Sequence, residues 1–294
     1  LLASSAASDV YKRQNNDKIG VTCVSNEDGS PIRPDDPMRY WRNVPYEYID
    51  LGSMTDFFAV GDGGIWYLSS DVKEFSAYWP YADLNTPGQL PEFGSALEVT
   101  SDRRLKINIS PAQNGVADVL YATGAKGSKG APTIVFSGDA AFRHLMAKLV
   151  IRIYPQKVAG SDDISKFLDS EAQEFLSMNK DSGYDVCIGD VHATGLFDPI
   201  GGVFEIDRNA SKGRVALVSG GAKHAATDTY VEIETYVLPE IVDLAFTIFG
   251  RYKDKSAGNL ERPCYVTEPV SVRFESSKAV SYTHLRAHET DQYL

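Results

Sequence analysis

Closely spaced cysteine pairs, membrane-length apolar runs and basic clusters are all missing from this 294-residue chain. Its three cysteines, Cys23, Cys187 and Cys264, are odd in number, far apart and free of any Cys-x-x-Cys spacing. They therefore imply neither a zinc site nor a disulfide framework. A chain this long builds a core without bridges, so cysteine usage leaves the compartment open. No stretch approaches the ~20 consecutive apolar residues that cross a bilayer. Acidic residues number 40 against 29 basic ones, a net charge of −11. An acidic surface without a Lys/Arg cluster argues against nucleic acid or an anionic membrane as partner.

Both ends read as foreign to the fold. Ser4 to Gln14 (Ser-Ser-Ala-Ala-Ser-Asp-Val-Tyr-Lys-Arg-Gln) is the translation of a transposon-based sequencing adapter, and Val280 to Thr290 (Val-Ser-Tyr-Thr-His-Leu-Arg-Ala-His-Glu-Thr) is that of the opposite adapter. Residues 1–14 and 280–294 are thus expected to be non-native, with the true start and stop unseen. The remaining 265 residues, 15–279, keep the net charge of −11, because the tails carry three charges of each sign. Leu1 to Ala7 lacks the basic and apolar regions of a leader. The residues before Cys23, Ile19-Gly20-Val21-Thr22, are not a lipoprotein box, so Cys23 reads as a strand residue.

What is present is a series of short β-branched or aromatic segments separated by Gly, Pro, Asn and Asp clusters, the pattern of an all-β sandwich. Phe57 to Val60 and Ile65 to Leu68 flank Gly61-Asp62-Gly63-Gly64, which predicts a hairpin. Strands are further expected at Phe75 to Tyr81, Leu105 to Ile109, Val119 to Ala122, Ile134 to Phe136, Ala147 to Tyr154, Asp243 to Tyr252 and Val270 to Phe274. Tyr230 to Val237 alternates most sharply, with Val231, Ile233, Thr235 and Val237 on one face and Glu232 and Glu234 on the other. Behind the capping run Ser161-Asp162-Asp163, the spacing of Ile164, Phe167, Leu168, Phe175 and Leu176 predicts one short amphipathic helix. The Gly124 to Gly130 stretch with Ala131-Pro132 resembles a linker and puts a boundary near Gly138, giving β-sandwich domains at 15–138 and 139–279.

Candidate chemistry is sparse. Val218-Ser219-Gly220-Gly221 lacks the leading Gly of a nucleophile elbow. The Gly124 to Gly130 loop lacks the phosphate-loop spacing. Asp190 and His192 would share one strand face and could hold a metal, but His144 and His224 are the only other histidines within 15–279. Glu27-Asp28-Gly29 and Asp35-Asp36 lack the ligand order of a calcium loop and read as solvated turns. Glu232 and Glu234 have the spacing of paired carboxylates, as an exported β-sandwich hydrolase would need, although a polar outer strand face accounts for them. Tyr40, Trp41, Trp66, Tyr67, Tyr78 and Trp79 supply either core or a sugar-stacking platform. No catalytic residue, cofactor or metal site is assigned.

Four segments, in order, resemble the fimbrillin-like family: Phe75-Ser-Ala-Tyr78-Trp-Pro80-Tyr81, Ala117-Asp118-Val-Leu-Tyr121-Ala122, Phe142-Arg-His144-Leu-Met-Ala147-Lys148-Leu149, and Tyr236-Val-Leu238-Pro239-Glu240, where the family more often has Gln at the last position. The alternation around His144 and Lys148 fits a structural, hydrogen-bonded His, and Pro80 should end its strand or place it at an edge. The resemblance implies two transthyretin-like β-sandwich domains in a non-enzymatic surface subunit, usually a lipoprotein at the outer membrane. It implies partners in other fimbrial subunits, joined by β-strand donation, and adhesion to a host or bacterial glycan or protein. A glycan-binding module that does not polymerise is the alternative reading.

Overall fold

β-Branched and aromatic runs become strands across most of the computed structural model, which describes residues 15–50, 52, 55–61, 63–67, 70–110, 118–154, 185–216, 223–226, 231–254, 258–266 and 270–286. The first nine strands are β1 (Lys18–Asn26), β2 (Val44–Asp50), β3 (Thr55–Ala59), β4 (Lys73–Trp79), β5 (Gly88–Leu90), β6 (Gly94–Val99), β7 (Leu105–Asn108), β8 (Leu120–Gly127) and β9 (Arg143–His144). There follow β10 (Ala147–Tyr154), β11 (Asp185–Val191), β12 (Thr194–Asp198), β13 (Val203–Ile206), β14 (Gly213–Ala216), β15 (Lys223–Ala226) and β16 (Val231–Val237). The last four are β17 (Ile241–Asp254), β18 (Gly258–Val266), β19 (Val270–Arg273) and β20 (Ala279–Arg286). Among the described residues helix is confined to two 3-10 turns, Pro37–Tyr40 and Gly138–Ala140. The fold is all-β. The expected amphipathic helix, from Ser161 to Leu176, lies outside the described residues.

Two compact units divide the chain, and neither is one continuous segment. The first holds Leu1–Lys106, Val119–Leu145 and Leu196–Glu205; the second holds Ile107–Asp118, Met146–Gly195 and Ile206–Leu294. In the first, a six-stranded sheet runs β3-β2-β1-β4-β8-β9. A five-stranded sheet, β13-β12-β7-β6-β5, belongs mainly to the same unit. In the second unit, one sheet runs β15-β16-β10-β20, and another runs β14-β11-β17-β18 with β19 also paired to β17. The pair β10 with β20 is parallel, starting at Lys148 opposite Ala279.

The pleat explains the first core. Ile19, Val21 and Cys23 alternate along β1, Phe75 and Ala77 along β4, and Ala122 and Ala125 come from β8; Met38 and Phe136 complete the buried cluster. Burial pushes the Cys23 thiol up to about 12, with Lys73 pulling the other way, so Cys23 is an inert core residue. β4 is paired on both sides, by β1 and β8, and stops at Trp79, one residue before Pro80, which has no N–H to continue the ladder.

Three expectations need correction. Phe57 does not pair across Gly61: β3 pairs with β2, from Tyr46 opposite Ala59 to Asp50 opposite Thr55, and residues 63–67 form no strand. Gly61, at φ 63°, ends the β3 segment instead of closing a hairpin. Residues 134–136 are also not a strand; Phe136 is buried while Val135 is exposed. Gly124 to Gly130 is not a linker, because β8 runs through Gly127 against Lys73 and then turns tightly, with Ser128 and Ala131 exchanging backbone hydrogen bonds of 3.0 and 3.1 Å.

Candidate functional site

The most concentrated polar chemistry among the described residues lies where β1 ends opposite the start of β4. The register places Asn26 directly across from Lys73, a distance at which cross-strand side chains meet. Alternation along β4 puts Lys73 on the same pleat face as Phe75 and Ala77, and its side chain is only 1% exposed. A buried ammonium needs partners. Lys73 Nζ donates to Asn26 Oδ1 and to Asp36 Oδ2, both at 2.6 Å. Asp36 is itself fixed by the turn it caps: its Oδ1 accepts from Met38 N at 2.8 Å, and Pro37 opens that turn.

Burial pushes the Asp36 carboxyl up, but the hydrogen bonds from Lys73 and Met38 outweigh it and hold the group below the usual carboxylate range. Asn26 has no freedom to flip. Its Nδ2 donates to Ser30 Oγ at 3.0 Å and to the carbonyls of Pro31 at 3.2 Å and Ser30 at 3.4 Å, which leaves Oδ1 facing the amine. An open cleft of about 780 Å³ adjoins the cluster, and its lining includes the acidic Glu27, Asp28, Asp35 and Asp71 together with Arg33. Of the acidic residues read from sequence as solvated turns, Asp36 instead pairs with a buried cation, while Glu27, Asp28 and Asp35 line the cleft beside it. Among the described residues, no group of three or more His, Cys, Asp or Glu side chains is placed to hold a metal ion.

The aromatic residues divide between core and surface. Tyr78 is buried, and Trp41, Tyr67 and Trp79 pack against the core. Tyr40 and Trp66 stand out at 69% and 65% exposed. Trp41 Nε1 donates to the Trp66 carbonyl at 3.0 Å, which ties the Trp66 backbone to the end of the 3-10 turn. The Arg39 guanidinium lies over the Tyr40 ring, 4.6 Å from its centroid.

The residues singled out by resemblance fall on strands and corners. Phe75 and Tyr78 are buried in β4, Pro80 is buried just beyond it, and Asp118 is buried just before β8. Tyr121 and Ala122 lie in β8. Phe142 packs on the first core with its ring centroid 5.5 Å from that of Phe136, and His144 pairs through its backbone with Leu120. Ala147, Lys148 and Leu149 open β10, where Ala147 and Leu149 are buried. Leu238 is buried and Pro239 half-buried at the corner after β16.

That corner carries a contact with no single sequence motif behind it. Glu240 Oε1 accepts from His192 N at 2.9 Å, and its Oε2 lies 2.8 Å from His192 Nδ1. His192 follows β11 and is engaged by this carboxylate. A Glu or a Gln could each meet both His192 groups, since Nδ1 donates or accepts according to its tautomer, so the residue type at 240 gave no signal of the contact. Glu232 and Glu234 pair through their backbones with Arg152 and Val150 in the middle of a sheet. Ser219 lies outside the described residues. The buried Lys73 cluster was missed altogether.

The β10 ladder is the other feature of note. Its one flank holds β16 in antiparallel register, from Ala147 opposite Val237. Its other flank holds β20, which lies almost wholly in the run that reads as adapter.

The sequence profile of the fimbrillin-like family matches residues 7–283. Similar solved structures include a candidate cell adhesion protein from Bacteroides ovatus ATCC 8483, at 16% identity and a TM-score of 0.54, with 92% of this chain and 84% of that one covered. Another, described in the same words, is from Bacteroides uniformis ATCC 8492, at 14% identity and a TM-score of 0.50, covering 92% of this chain and 88% of the other. At these identities the likeness is one of fold. No curated protein matches the chain.

Proposed function

Since the chain belongs to the fimbrillin-like family, we propose that it is a fimbrial subunit displayed at the cell surface, anchored at the outer membrane as a lipoprotein in its full form, that assembles by strand donation and serves adhesion. The reading takes its two units as transthyretin-like sandwiches and assigns it a structural, non-enzymatic role. One observation carries it beyond family membership. The flank of β10 opposite β16 is filled in parallel by residues 279–286, a sequence that reads as unrelated to the fold. A slot that holds such a segment through backbone pairing is what β-augmentation requires: the edge strand supplies donors and acceptors to any extended chain that fits.

The exposed Tyr40 and Trp66 favour a second reading, a surface module that stacks on sugar rings without polymerising. One experiment separates the two. A chain ending at Lys278 is followed by size-exclusion chromatography with light scattering, alone and with a synthetic peptide of residues 279–286. The fimbrial reading expects association of the shortened chain and capture of the peptide, with the peptide suppressing association. A shortened chain that stays monomeric and ignores the peptide, while binding glycans through Tyr40 and Trp66, is the second reading and overturns the first.

A further inference from the structure

The Lys73 cluster has more than the geometry of an ion pair. Of three groups in contact, one is a nucleophile, one an amide and one a proton carrier. We propose that Lys73 and Asn26 join in an intramolecular isopeptide bond, formed without an enzyme and assisted by Asp36, which ties β1 covalently to β4.

The distances support attack. Lys73 Nζ lies 2.6 Å from Asn26 Oδ1, and a carbonyl bond of about 1.2 Å then keeps Nζ within about 3.8 Å of Cγ, close to the ~3–3.5 Å of a near-attack pair. The amide is held with its carbonyl toward the amine, because Ser30 and Pro31 occupy its nitrogen. Lys73 is 1% exposed, so water does not compete for the amine, and Asp36 Oδ2 lies 2.6 Å from the same Nζ. Moving one proton from Nζ to Oδ2 turns the two charges into an amine and a carboxylic acid and frees the lone pair that attacks.

The step balances without any outside reagent. Nζ attacks Cγ, and its lone pair forms the new C–N bond while the C=O electrons move to Oδ1. Asp36 relays a proton from the attacking nitrogen to Nδ2, the C–Nδ2 bond breaks, and the carbonyl re-forms. Ammonia leaves, takes the remaining proton as ammonium, and Asp36 returns to its ionised form. Nothing is oxidised or reduced. The departing nitrogen faces the Ser30 and Pro31 loop, and Asn26 and Lys73 both line the open cleft.

The test is the intact mass of the denatured full chain. We expect about 17 Da less than the sequence mass, the loss of one ammonia, and a branched proteolytic peptide joining the segments that contain Asn26 and Lys73. Asn26→Asp should expel water instead and fall about 18 Da short. Lys73→Arg, Asn26→Ala and Asp36→Asn should each show the full mass, with circular dichroism to check folding. The wild-type result decides even if a variant does not fold. A wild-type chain at full mass overturns the proposal. So does a deficit that yields no branched peptide, as a succinimide at an asparagine would, or one that survives in Asn26→Ala.

Discussion

Tyr78 shows how much one side chain organises. Its ring lies over Gly20, the residue opposite it in β1, where any Cβ would strike the ring and Asn43. Its hydroxyl lies 2.7 Å from Asn43 Oδ1, accepts from Ala82 N at 3.2 Å and faces the Ala82 carbonyl at 3.1 Å. Tyr78→Phe keeps the packing but leaves these buried groups short of a partner, and should cost about 1–3 kcal/mol in urea melts at neutral pH. Burial pushes the Tyr78 phenol above its ordinary value of 10.0, and burial likewise pushes Tyr67 up to about 12. With the folded value raised, the native chain keeps its phenol protons while the unfolded chain loses them. Stability is therefore whole below about pH 10 and falls as the pH rises from there through the raised folded values. Melts between pH 9 and about 12 should show this loss, with a smaller slope in Tyr78→Phe.

At the scale of elements, position in the sheet sets local stability. Among the described residues, β1 and β4 have a neighbour on each side, whereas β3 pairs with β2 alone. Amide exchange should be at least about tenfold slower in the paired amides of β1 and β4 than in those of β3, since an edge strand opens without disturbing the core. Equal protection would mean that the first unit opens only as a whole. The strands that sequence revealed best are those whose alternation or aromatic content is strong, such as β16 and β4. Gly61 to Gly64 misled because its glycines signal a turn more loudly than the Leu51 to Met54 segment between β2 and β3. Lys73 was illegible for a different reason. A lysine at a strand start is ordinarily solvated, and only the register between β1 and β4 brings Asn26 across from it and the Asp36 turn over it.

At the scale of the whole molecule, the units trade segments, and no composition shift announces it. Leu196–Glu205 belongs with the first unit. Its Phe197 is fully buried, with its ring centroid 6.2 Å from that of Tyr78 and 5.4 Å from that of Tyr121. Phe197→Ala should cost about 3–5 kcal/mol. By the same reasoning, residues 15–138 expressed alone should melt well below the intact chain, or fail to fold, because the missing phenylalanine leaves Tyr78 and Tyr121 facing a void; calorimetry of the two would reveal it. The three tryptophans, Trp41, Trp66 and Trp79, all belong to the first unit. Fluorescence excited at the indole band is thus a private optical channel to that unit, blind to the second. Set beside a far-ultraviolet signal that sums every strand, it converts the uneven placement of one amino acid into a clock for which half of the molecule lets go first.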